Sequence, residues 1–130
     1  MKQEAHYLNT DLDLVAPVDL SPLGLALNAL GLLSLHLGQN DNGEWCATFE
    51  TQEVFRSPDA NIAAFLTAIE SLDPESRKTW SECTVREFDI GYDSGDLQPA
   101  LHHQLATQTL ARIATLGATV QITLYPLTGD

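Results

Sequence analysis

The chain has 130 residues, 44% of them apolar and 18% charged, which are the values of one folded domain rather than of a disordered chain. Eighteen Asp and Glu stand against six Lys and Arg, for a net charge of −12. A field of that sign repels phosphate backbones and excludes nucleic acid as an expected partner, because only Arg77 and Lys78 among the basic residues are adjacent.

The start, MKQEAHYLNTDLDL, has no apolar run after its basic residue, so no secretory signal is expected. No stretch approaches the roughly 18 apolar residues of a membrane span. Cys46 and Cys83 are far apart and form no zinc spacing, so two reduced thiols in a cytoplasmic protein are expected, with no metal and no cofactor.

Tyr7 to Val18 opens with alternation. Leu8, Leu12, Leu14 and Ala16 fall on one side and Asn9, Asp11, Asp13 and Val15 on the other, which predicts a strand with one buried face. Ser21-Pro22 reads as an N-cap followed by proline at the first helical position, and Gly31 as the helix stop. Leu33, Leu35 and Leu37 then alternate with Ser34 and His36. Asn42-Gly43 turns the chain into a second hairpin strand, with Trp45, Ala47 and Phe49 inward and Cys46, Thr48 and Glu50 outward.

Ser57-Pro58-Asp59 repeats the cap–proline signal before a stripe of Ile62, Phe65, Leu66, Ile69 and Leu72. Asp73-Pro74-Glu75 restarts a short helix carrying Trp80. Thr84 to Tyr92 reads as a strand with Phe88, Ile90 and Tyr92 inward. Ser94-Gly95-Asp96 is a turn, and Pro99 is expected to open a last helix reaching about Leu116, with Gly117 as its stop. Val120, Ile122 and Leu124 alternate with Gln121, Thr123 and Tyr125 in a final strand. The expected fold class is α+β in two layers: a mainly antiparallel five-stranded sheet with three main helices on one face. Its core would be a ferredoxin-like β-α-β-β-α-β unit, with an extra helix and strand.

The segment LARIATLGATVQITLYP resembles a family of uncharacterised small bacterial α+β domains. In that family a leucine-rich helix breaks at Leu-Gly and the next strand ends in tyrosine, matched here by Leu110, Ile113, Leu116-Gly117, Ile122, Leu124 and Tyr125. The spacing from IAAFLTAIESLDP through EFDIGYDSG resembles it as well. The resemblance covers the second half of the chain, rests on packing motifs and carries over no catalytic residue. Small acidic bacterial proteins of this sort include immunity partners of toxins, an analogy at the level of fold.

Residues 88–105, FDIGYDSGDLQPALHHQL, bring aspartates close to a His pair. A calcium loop starting at Asp89 would need an acidic third position, a central glycine and a closing glutamate, and finds Gly91, Ser94 and Ala100 instead. On a helix, His102 and His103 would point about 100° apart, too far to grip one metal, with His102 inside the apolar arc as a structural histidine. Cys46 with His36 lacks the cationic surroundings that make a thiol reactive, and Trp45 and Trp80 read as packing residues.

The candidate site is the polar face of the sheet. Asp11, Asp13, His36, Glu50, Glu87, Asp89 and Tyr125 would share it, together with Cys46, Thr48, Gln121 and Thr123. A solvated outer face is the plainest account of such a surface. The function expected is a non-enzymatic binding protein, immunity-like or regulatory, steered toward a basic protein partner. The alternatives are a small enzyme using an acid–His site on that face and a self-associating module that forms a homodimer. Neither membrane nor nucleic acid is expected as a partner.

Overall fold

A computed structural model of the chain describes residues 5–95 and 100–126. In chain order the elements are β1 (His6–Ala16), α1 (Ser21–Ala29), β2 (Leu32–Gln39), β3 (Trp45–Thr51), α2 (Pro58–Glu70), α3 (Pro74–Glu82), β4 (Val85–Asp93), α4 (Thr107–Thr115) and β5 (Thr119–Tyr125). The strands form one sheet in the order β2-β3-β1-β4-β5. The fold is α+β with four helices, three of them the main helices expected and the fourth the short one that carries Trp80. No helix among the described residues is long and apolar enough to cross a membrane.

The sheet is mixed, which corrects the expectation of a mainly antiparallel one. β1 runs antiparallel to both β3 and β4, and β2 antiparallel to β3, but β4 and β5 are parallel. The chain must pass through α4 to start β5 from the same end as β4, and such a crossover makes a parallel neighbour.

One face of the sheet holds the core. Leu12, Leu14 and Ala16 of β1, Ala47 and Phe49 of β3, and Phe88 and Ile90 of β4 are buried there. α2 lays Ile62, Phe65, Leu66 and Ile69 onto them, and the Phe65 and Phe88 rings meet at 5.6 Å. α1 sits close because Gly24 has no side chain: a Cβ there would lie 2.7 Å from the Leu37 side chain.

Two bulges interrupt the alternation. The β1–β4 register shifts between Tyr7 and Asn9, so Leu8 is the extra residue and Tyr7 pairs with Tyr92 on the core face. The β2–β3 register shifts between Ser34 and His36. Leu37 then faces the core beside Ala47, whereas Leu33 and Leu35, expected inward, are exposed. A strict period of two misplaces every residue on the far side of a bulge.

Helix starts follow the sequence at two of four places. Ser57 accepts from the Ala60 N–H and Asp73 from the Ser76 N–H. At α1 the expected Ser21 cap is replaced: Leu20 is the cap residue and Asp19 accepts from the Ser21 N–H. α4 begins at Thr107, and residues 100–106 are not helical. Pro99 and Asp96 lie outside the described residues.

The ends of α3 and α4 are tied together by Arg86. Its Nη1 donates to the carbonyls of Cys83 at 2.6 Å and Trp80 at 3.2 Å, and its Nε to Gly117 at 3.0 Å. Trp80 Nε1 donates to the Leu116 carbonyl at 2.9 Å. A guanidinium is well placed where two helices leave carbonyls unpaired.

Candidate functional site

The outer face of the sheet is built by residues that alternate with the core. Asp11 and Asp13 stand between the buried Thr10, Leu12 and Leu14 of β1. Register then fixes their neighbours. Asp13 lies opposite Thr48 on one side and Glu87 on the other, and Asp11 opposite Asp89. Glu50, one residue past the Phe49 that pairs with Leu12, comes beside Asp11. Five carboxylates therefore occupy neighbouring positions on three central strands.

Like charges directly opposite each other across strands are destabilising. Short polar side chains offset part of that cost. Thr48 donates to Asp13 at 2.9 Å, Thr123 to Asp89 at 2.6 Å, and the Asn9 amide to Asp11 at 2.9 Å. The remaining cost shows in the acidity. Burial, then the charges of Asp13, Glu50 and Asp89, push the Asp11 carboxyl up to about 6. Asp13 is also raised, by burial, against the Thr48 hydrogen bond, with Asp89 adding to the rise.

No described lysine or arginine shares this face, and at its margin His6 Nε2 lies 3.2 Å from Asp93. Arg56 is in the β3–α2 loop, Arg77 and Lys78 are on α3, Arg112 is on α4, and Arg86 pairs with Leu14 on the core side of the sheet. Three of them, Arg77, Lys78 and Arg86, line an open depression of about 440 Å³ with Trp80 and Leu116. The described lysines and arginines thus lie away from the acidic sheet face.

His36 is on the outer face opposite Thr48, with all of β3 between it and Asp13. It is exposed and does not enter the carboxylate group. Tyr125 sits at the far margin, opposite Asp93, with its ring over Gly91, where a side chain would meet it at 3.4 Å. Cys46 pairs with Val15, and its sulfur accepts from the Asn40 amide at 3.7 Å. Among the described residues no group of three or more His, Cys, Asp or Glu is arranged to hold a metal ion.

A second polar group, unforeseen in the sequence, lies on the core face. Asn61 of α2 is 2% exposed, and its Oδ1 accepts from the Tyr7 hydroxyl at 2.6 Å and the Thr10 N–H at 3.1 Å. Its amide donates to Thr51 at 3.0 Å. Because Tyr7 spends its one proton on Asn61, Thr10 donates to Tyr7 at 2.6 Å. Burial pushes the Tyr7 phenol up to about 12. The signal for Asn61 was present: an amide between Pro58 and Ile62 on an otherwise apolar stripe needs partners.

The His pair is corrected by the same region. His102 and His103 precede α4 in a non-helical stretch, and both are exposed. His103 stacks on Tyr92 at 5.6 Å, meets Tyr7 edge-on at 5.9 Å, and shares a 2.9 Å hydrogen bond between Nδ1 and the Tyr92 hydroxyl.

Comparison of the chain with family models, curated proteins and solved structures matched none of them.

Proposed function

We propose that the chain is a binding protein whose acidic sheet face docks a basic protein partner, in an immunity-like or regulatory role. The observation that carries this reading is the crowding of Asp11, Asp13, Glu50, Glu87 and Asp89 on one face without a described lysine or arginine among them. Burial, and then that crowding, push the Asp11 carboxyl up to about 6, and a guanidinium or ammonium arriving from a partner would offset the crowding. The described lysine and arginine side chains sit away from the face and leave it open to approach. The strand order β2-β3-β1-β4, with antiparallel neighbours throughout, supports a ferredoxin-like core to which α4 and β5 are added.

Titrating the chain with an arginine- and lysine-rich peptide, followed by carboxyl NMR signals, tests this. The expected result is binding that weakens steeply with salt and lowers the pKa of Asp11. Replacing Asp11, Glu50 and Asp89 together by their amides should abolish it. Binding that ignores both salt and those substitutions would sink the proposal.

A further inference from the structure

β5 is an edge strand with unusual features for an exposed edge. Its sequence, TVQITLY, carries no charge in a chain with eighteen acids, and it has no proline. Its seven-residue register against β4 runs without a shift, whereas the other edge, β2, is bulged. Its core-side residues are uncovered: Val120 is 38% exposed, Ile122 69% and Leu124 63%. Edges left to face water are normally blunted by charge, proline or a bulge, and this one has none of them.

We infer that β5 is the interface of a homodimer, pairing antiparallel with β5 of a second copy about a two-fold axis at Ile122. Three observations select a second copy as the occupant. The first is that the strand is its own complement. About Ile122, Val120 falls opposite the partner copy's Leu124, Gln121 opposite Thr123, and Thr119 opposite Tyr125, so apolar meets apolar and polar meets polar.

The second is the direction of the free backbone groups. The Ser94 N–H donates to the Tyr125 carbonyl at 2.9 Å, so Tyr125 aims its peptide groups at β4. These groups alternate along a strand, which turns Thr119, Gln121 and Thr123 toward β4 as well and leaves Val120, Ile122 and Leu124 aiming outward. A two-fold at Ile122 sets outward-aiming residues against each other, as an antiparallel hydrogen-bonded pair requires. The third is charge. β5 carries no charge, so two chains of net charge −12 can meet along it without opposing carboxylates. The two-fold lies perpendicular to the sheet, so both acidic faces end on the same side of a ten-stranded sheet. The depression of about 370 Å³ lined by Tyr92, Leu101, His103 and Leu124 would receive Val120 from the other copy at its rim.

Light scattering on the full chain from micromolar to millimolar concentration tests the assembly, and amide exchange tests the register. The mass is expected to rise to twice 14.2 kDa and to persist at high salt. The amides of Val120, Ile122 and Leu124 should gain protection with concentration while those of Gln121 and Thr123 stay unchanged. Ile122→Lys sets two ammonium groups face to face and should weaken the dimer by about a hundredfold or more. Ile122→Thr keeps a β-branched residue and should weaken it about tenfold, which serves if the lysine variant misfolds. A monomer mass throughout overturns the inference, as does a dimer that Ile122→Thr leaves unchanged or whose three outward amides stay unprotected.

Discussion

The two faces of this sheet handle polarity in opposite ways. On the core face the two main polar groups among the described residues have partners of matched kind: Asn61 meets a phenol, an N–H and a hydroxyl, and Arg86 meets helix-end carbonyls. On the outer face five carboxylates meet hydroxyls, an amide and each other. Core-face polarity therefore stabilises the fold, and removing it should cost stability. Outer-face charge opposes the fold, and removing it should add stability. A chain that retains a destabilising charge group has a reason outside folding to keep it, and that is the physical basis for reading the outer face as a docking surface.

The largest effect is expected at Asn61. Asn61→Leu keeps the volume but strands the buried Thr10 N–H and the Tyr7 hydroxyl, at a cost of about 2–4 kcal/mol. Arg86→Leu leaves carbonyls of α3 and α4 without their donor and should cost about 2 kcal/mol. Urea unfolding measures both. The contrast between faces breaks if Asp89→Asn, on the outer side, destabilises as much as either.

Asp11→Asn is the next test, and its sign is opposite. The carboxyl lies at about 6 in the folded chain against 3.8 for an unperturbed aspartate. The folded state holds this proton more tightly than the unfolded state does. Its contribution is thus fully present below pH 3.8 and is lost as pH rises through about 6. Asp11→Asn should stabilise the chain at neutral pH by about 1 kcal/mol after allowance for screening, and added salt should narrow the gain. A thermal melt series from pH 4 to pH 8 should show the wild type losing stability where the variant does not. An Asp11→Asn variant that is less stable at neutral pH would reverse the account of the face.

The membership of the acidic face was legible because period two is rigid between bulges: Asp11, Asp13, Glu50, Glu87 and Asp89 sit among hydrophobic residues whose direction is unambiguous. The bulges at Leu8 and Leu35 were not legible, because an inserted residue has no composition of its own, and with them went the placement of Tyr7, Leu33 and Leu35. The start of α4 was misread from Pro99, a strong local signal. The chain instead enters α4 where the Ala106 N–H finds Asp59 of α2, a contact 47 residues away that no local pattern contains. Asn61 was visible as an oddity, but its partners come from β1 and β3 and needed the fold to be known.

The smallest effect separates charge that is paired from charge that is not. Glu70 accepts from Arg112 through both oxygens at 2.9 Å, and that guanidinium holds its carboxyl below the usual range. Both side chains are about a third or more exposed, so Glu70→Gln should cost no more than about 0.5 kcal/mol. The pH dependence must run against that of Asp11. Glu70 stabilises above its unfolded value of 4.5, and the contribution fades as pH falls through its lower folded value. Glu70→Gln should therefore lose stability at neutral pH and approach the wild type in acid, whereas Asp11→Asn gains at neutral pH and approaches the wild type in acid. If the two amides shift stability in the same direction at neutral pH, the presence or absence of a nearby cation is not what distinguishes these carboxylates, and the case for an incoming basic partner loses its electrostatic ground.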